Sequence, residues 1–241
     1  MHTLTETAMA PLGQAVLDYM NDRSFEYLVT ERDDGYRTET AVSQFFRTAL
    51  DMAPHEQLAL ERCHGRILDV GAGAGSHALL LQQHGRQVWA IDISPQHVEV
   101  MHQRGIKRAD CRDVWELEGQ RYDTLLLMGH GIGLVDDLKE LDLFLLHCRD
   151  LVSGNGQMLI NGFNYYMTDR IEHIRYHEQN AQQGLFPGSA RLRLIYDGNT
   201  GPWFNWLLID MKTLRQAALA TGWNYELLME EEDGNYLARL Y

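Results

Sequence analysis

The run Arg66-Ile-Leu-Asp-Val-Gly-Ala-Gly-Ala-Gly-Ser-His77 constrains the fold of this chain more than any other. It reads as a buried strand, a glycine loop and the start of a helix, and a second apolar strand follows it to Ala90-Ile-Asp92. Glycines at 71, 73 and 75 allow positive φ and let a ligand approach the backbone closely. The unpaired amides at the start of the next helix then face that ligand. Asp92 comes about twenty residues after the loop, at the end of the next strand, where a carboxylate can accept both hydroxyls of a ribose. The unit is suited to holding a nucleoside.

Two details narrow the nucleoside. A dinucleotide fingerprint needs G-x-G-x-x-G, whose third glycine falls where this chain has Ser76. Here the spacing is G-x-G-x-G, and Asp69 stands two residues before the first glycine. An acidic residue at the mouth of the loop suits a cationic amino-acid moiety better than a pyrophosphate.

The rest of the chain sets the frame. At 241 residues it is long enough for one sizeable core, or for one domain with an addition. Its net charge of −13 argues against a nucleic-acid partner, because that binding rests on Lys and Arg neutralising phosphates. Cys63, Cys111 and Cys148 are far apart and form no CxxC, so a reducing, cytoplasmic setting without a disulfide framework is expected. No stretch reaches the ~18 apolar residues of a membrane span, and the first residues lack a signal-peptide pattern.

Residues 11–22 read as a helix and 25–30 with 36–38 as a hairpin turning at Asp33-Asp-Gly35. Helices are expected at 41–50 and 55–64, so residues 1–65 form an N-terminal cap before the core. From residue 66 to the end, strands at 66–70, 87–91, 106–110, 122–128 and 156–162 alternate with helices at 75–84, 94–104 and 136–151. That rhythm predicts an α/β fold with a parallel, doubly wound sheet. The run Thr124-Leu-Leu-Leu-Met128 is apolar enough for a strand buried on both faces. An aromatic segment then leads to a second hairpin, 192–196 with 203–210, before helix 211–221 and strands 223–230 and 235–241.

The run Asp69-Val-Gly-Ala-Gly-Ala-Gly75 resembles motif I of the class I S-adenosylmethionine-dependent methyltransferases. The closing helix and hairpin match the way that family completes a seven-stranded, mostly parallel sheet. The resemblance implies S-adenosyl-L-methionine as cofactor, an N-terminal cap, and a lid-like insertion at 163–210 before the last helix. Carried over by position, Asp69, Gly71, Ala72 and Gly73 line the methionine end, Asp92 holds the ribose, and Ile93 packs beside the adenine. Asp113 and the Val114 amide meet the adenine edge, with Asp110 as the alternative acid. Met128 opens the loop after the fourth strand, which borders the cofactor's amino group and the acceptor.

That loop, Met128-Gly-His-Gly-Ile-Gly133, departs from the Asn/Asp-Pro-Pro-aromatic motif of exocyclic-amine methyltransferases acting on nucleic acids. His130, between glycines, could accept a proton from an acceptor. Tyr36 and Tyr165 are the aromatic residues expected to roof the acceptor, and Tyr36 is taken with His130 as the catalytic pair. His173 and His177 stand one helical turn apart, but no third ligand is evident and no metal site is assigned. The resulting expectation is methyl transfer to a small-molecule acceptor, with no nucleic acid or membrane as partner. A protein or RNA acceptor, a nicotinamide oxidoreductase and a non-methylating binding protein are the alternatives.

Overall fold

The computed structural model describes residues 2–23 and 27–241. The first helix, α1 (Glu6–Met20), starts five residues before the expected position, because the Thr5 side chain caps it by accepting the Ala8 amide. The first hairpin pairs β1 (Tyr27–Arg32) with β2 (Arg37–Ala41), and the expected strand residue Phe25 lies outside the described residues. The helix expected at 41–50 is only a 3-10 turn, Val42–Phe45. Beyond it the Asp51 carboxylate takes the Thr48 amide and hydroxyl, a local turn that competes with helix. Helix α2 (Pro54–Arg62) follows, with Pro54 at its first position.

The core alternates as expected: β3 (Arg66–Val70), α3 (Ser76–Gln83), β4 (Gln87–Asp92), α4 (Pro95–Gln103), β5 (Ala109–Cys111), β6 (Tyr122–Leu127), α5 (Leu138–Leu151) and β7 (Val152–Phe163). After α6 (Ile171–Gln182) come β8 (Ser189–Tyr196), the short β9 (Asn199–Thr200) and β10 (Phe204–Leu207). Helix α7 (Met211–Ala220) and the hairpin of β11 (Tyr225–Glu230) and β12 (Asn235–Leu240) complete the chain.

Seven strands form one sheet in the order β11-β12-β7-β6-β3-β4-β5, parallel except around β12. Successive residues of its central strands alternate between two apolar layers. Leu68, Leu125, Leu127, Met158 and Ile160 pack on one face; Ile67, Leu126 and Leu159 pack on the other. A strand buried on both sides has to be apolar throughout, which accounts for the unbroken run in β6.

The second sheet was not anticipated as a unit. Its order is β10-β8-β1-β2, with β9 on β8, and β1 pairs antiparallel to β8 from Val29↔Ile195 to Arg32↔Leu192. The N-terminal hairpin and the insertion hairpin are therefore one structure. It rests with α1 on a third apolar cluster, which takes in Leu28, Leu194 and Phe204 from the sheet, Val100 from α4 and Ala74 from the glycine loop. This packing places the cap over the carboxyl edge of the larger sheet. The connections leave β3 and β6 toward opposite sides, which is where open α/β sheets form a crevice.

Candidate active site

A cleft of about 970 Å³ opens at that crevice. Its floor is the loop after β3. Gly71, Gly73 and Gly75 have φ of 66°, 57° and 77°, values that L side chains rarely adopt. At Gly71 and Gly73 the space a Cβ would fill is open. At Gly75 a Cβ would overlap Ile106 and Met101, so glycine there also permits α3 to start against α4.

Asp92 fixes this floor. Its Oδ2 accepts the Gly73 amide at 2.8 Å and its Oδ1 accepts the Ser94 amide at 2.9 Å. The His97 Nδ1 lies 3.0 Å from Oδ1. Burial opposes ionisation of Asp92, but His97 and the two amides outweigh it and hold its carboxyl below the usual range. Oδ2 keeps a second lone pair, so the carboxylate can still meet a ribose hydroxyl from the cleft it lines.

Asp69 behaves oppositely. Burial pushes its carboxyl up to about 6, against the opposing influence of His77 and the Ala78 amide. Its Oδ2 is buried without a hydrogen-bond partner among the described residues, in the wall of the cleft. An unpaired buried carboxylate oxygen is costly unless a cation or donor meets it.

Every residue expected at the cofactor lies on this cleft: Asp69, Gly71, Ala72, Gly73, Asp92, Ile93, Asp113, Val114 and Met128. Asp113 is also the cap of a 3-10 turn, its Oδ1 accepting the Trp115 amide at 3.0 Å. Asp110, the alternative acid, is exposed on β5 and does not line the cleft.

The two residues expected to act on the acceptor lie elsewhere. His130 does not line the cleft, although Gly129 and Gly131 do. Its Nε2 is 2.8 Å from Asn235 Oδ1, its amide donates to Asn161 Oδ1, and its ring lies against Phe163. Burial lowers its pKa. The Asp34-Gly35 turn sends Tyr36 toward α6, where its hydroxyl accepts from Arg170 at 2.9 Å and its ring meets His173 edge-on. Tyr165 joins His177 and Phe186 in a separate aromatic group. His173 and His177 thus face different partners, and His177 Nδ1 engages the Pro187 carbonyl.

The roof comes instead from Met9, Leu12 and Tyr19 of α1, Phe45 and Phe46 after β2, and Trp206 of β10. Tyr19 and Phe46 stack with centroids 4.7 Å apart. Trp206 lies over Gly133, where any Cβ would strike its indole. Also unanticipated is a buried ionic chain that ties roof to floor. Glu56 Oε1 is 2.9 Å from His77 Nε2, and its Oε2 accepts from Arg47 at 2.6 Å and from the Ala53 amide at 3.0 Å. Burial would raise the Glu56 carboxyl, but the bonds from His77 and Ala53 and the Arg47 charge bring it down to about 2. The Ser76 hydroxyl adds a bond to the Phe45 carbonyl. His77 comes four residues after Gly73 and His97 five after Asp92, and this closeness to the motif is the signal that could have found them.

A methyltransferase-domain family model matches residues 67–156, the glycine loop and the strands around it. The structure of an S-adenosylmethionine-dependent methyltransferase from Bacteroides fragilis, in complex with S-adenosyl-L-homocysteine, is 32% identical in sequence. The match covers 99% of this chain and 97% of that one, with a TM-score of 0.85. The chain belongs to the S-adenosylmethionine-dependent methyltransferases. More distant structures share the methyltransferase fold. One from Methanosarcina mazei is 16% identical over 78% of this chain and 95% of its own, with a TM-score of 0.58. The CcbJ methyltransferase of Streptomyces caelestis is 13% identical over 78% and 88%, with a TM-score of 0.56. Among curated proteins, none matches the sequence. No helix among the described residues is long and apolar enough to cross a membrane.

The methyltransferase cofactor fits this cleft. The orphaned Asp69 oxygen suits an ammonium group, the open faces of Gly71 and Gly73 leave the loop accessible, and Asp92 Oδ2 presents a free lone pair at the ribose position.

Proposed function

We propose that this methyltransferase transfers the methyl group of S-adenosylmethionine to a small-molecule acceptor by in-line displacement. The observation that carries the reading is the cleft itself: Met9, Leu12, Tyr19, Phe46 and Trp206 line it with apolar and aromatic side chains, together with the glycine loop. The net charge of −13 disfavours a polynucleotide acceptor.

When bound, the cofactor supplies an already electrophilic methyl group on a sulfonium. The work left to the chain is orientation and exclusion of water, which together can lower a barrier by about 7–11 kcal/mol. Asp69 would hold the methionine end and Asp92 the ribose, with Ile93, Asp113 and Val114 around the adenine and Met128 beside the reacting centre. The aromatic roof excludes water and offers ring faces to a cation.

Calorimetric titration with S-adenosylmethionine, S-adenosylhomocysteine and NAD tests the cofactor: micromolar binding of the first two and none of NAD is expected. S-adenosylhomocysteine release is then compared across small hydroxyl, amine and thiol acceptors, total RNA and unfolded protein. Release confined to RNA or protein would overturn the small-molecule reading.

A further inference from the structure

The chamber roof includes one imidazole. His2 lines the cleft beside Leu4, Leu134 and Trp206. Its Nδ1 is 3.2 Å from Glu140 Oε2 and 3.6 Å from Asp136 Oδ1. All three side chains are about one-fifth exposed. The segment is held firmly in place. The Thr3 hydroxyl donates to Asp136 Oδ1 at 2.6 Å, the Thr3 amide donates to both Asp136 oxygens, and the Thr3 hydroxyl oxygen accepts the Asn205 amide at 2.7 Å. The Asp136 amide in turn donates to Glu140 Oε2, which holds the second carboxylate in place.

This arrangement sets the tautomer. Ionised carboxylates only accept, so the proton of a neutral His2 sits on Nδ1 and the lone pair on Nε2. Nε2 makes no hydrogen bond to the described residues. A histidine that lines the cleft, with one nitrogen held by carboxylates and the other without a hydrogen bond to the described residues, is arranged as a general base requires. His130 does not line the cleft.

Resting on the small-acceptor reading above, we propose that His2, oriented by Asp136 and Glu140, takes the proton from a ring-sized acceptor bearing a weakly acidic hydroxyl, of the phenol class. The flat walls of Tyr19, Phe46 and Trp206 fit a planar ring. In the step, the acceptor O–H bond breaks and its proton passes to His2 Nε2. The oxygen uses the electron pair left behind to form the new O–C bond, and the pair of the broken S–C bond returns to sulfur. The two carboxylates stabilise the imidazolium that results.

The test compares two probe acceptors at pH 7.5, with S-adenosylhomocysteine release as readout: phenol, which is protonated there, and 4-nitrothiophenol, which is already ionised. His2→Gln should lower kcat/KM for phenol at least 100-fold, the range of general-base catalysis, and for the thiol less than threefold. Asp136→Asn should reproduce the split more weakly. The affinity of His2→Gln for S-adenosylhomocysteine, measured by calorimetry, should stay within threefold of the parent. Equal loss on both probes, no loss on phenol, or a parallel loss of S-adenosylhomocysteine affinity would each overturn the assignment. Abolition of the phenol reaction by EDTA would do so too, since a bound cation would then be the agent of deprotonation. If the parent protein methylates both probes and His2→Gln matches it, only the role of His2 falls. If the parent methylates neither, the phenol-class chamber falls with it.

Discussion

The carboxylate of Asp92 that faces the ribose position also holds the Gly73 amide, at 2.8 Å. On the proposed placement of the cofactor, ribose recognition and loop shape both rest on this one side chain. Asp92→Asn keeps the volume but replaces one acceptor by a donor, which leaves either the Gly73 or the Ser94 amide facing an NH₂ group. Affinity for S-adenosylhomocysteine should fall at least tenfold, and unfolding free energy by about 1–3 kcal/mol. Calorimetry and denaturant melts check the two effects. Lost affinity with unchanged stability would separate the ribose role from the loop role.

Asp69, with its carboxyl pushed up to about 6, makes cofactor affinity pH-dependent. A cationic amino group beside it favours the ionised form, so binding releases a proton. Affinity should then rise as pH increases through 6 and level off above, a change of about tenfold between pH 5 and 7. Asp69→Asn should bind more weakly with a flat profile. Titrations in buffers of different ionisation enthalpy count the proton directly.

Glu56 is a stability element whose carboxyl is shifted the other way. Its carboxyl is held at about 2, so the stabilisation from the His77 and Arg47 pairing is fully present above the carboxylate's unfolded value, near 4.5. It is lost as pH falls through 2. Glu56→Gln leaves a buried imidazole and guanidinium without their counter-charge, and should cost on the order of 3 kcal/mol at pH 7. The cost should shrink toward zero in acid. Urea melts at pH 7 and pH 3 measure the difference.

His130 sits in the left-handed region at φ 60° and ψ 37°, where Asn is tolerated and β-branched residues are not. His130→Asn should cost only the Asn235 bond, about 1 kcal/mol, whereas His130→Val adds backbone strain of about 1–3 kcal/mol. Both should bind S-adenosylhomocysteine within threefold of the parent. Equal melts for the two variants would show that the turn relaxes.

The larger sheet was legible because strands buried on both faces leave unbroken apolar runs, as at Leu125–Leu127. The edges were less so. Ser153-Gly-Asn-Gly156 reads as a turn, yet β7 starts at Val152 because that residue pairs with Tyr122 before the register shifts. That the residues expected at the cofactor line one cleft was legible, since each is tied to a strand end or to the glycine loop by local spacing. The acceptor side was not. His2 and Asp136 carry no spacing signal, and Tyr36 was placed by its turn without knowledge that the turn faces α6. The β1–β8 pairing likewise depends on partner choice between distant segments, on which local pattern is silent.

That pairing has a consequence for synthesis. The first forty residues leave the ribosome well before their partner, residues 189–207, exists. Until then β1 has a bare edge, and α1 lacks β8, one of the strands it packs on in the finished protein. The larger sheet can already have most of its strands by that stage, since β3 to β7 are translated in between. The cap thus cannot close until residues 189–207 are made, although its first strand is made first, and the cleft gains its full lining only when these two stretches of the chain's history meet.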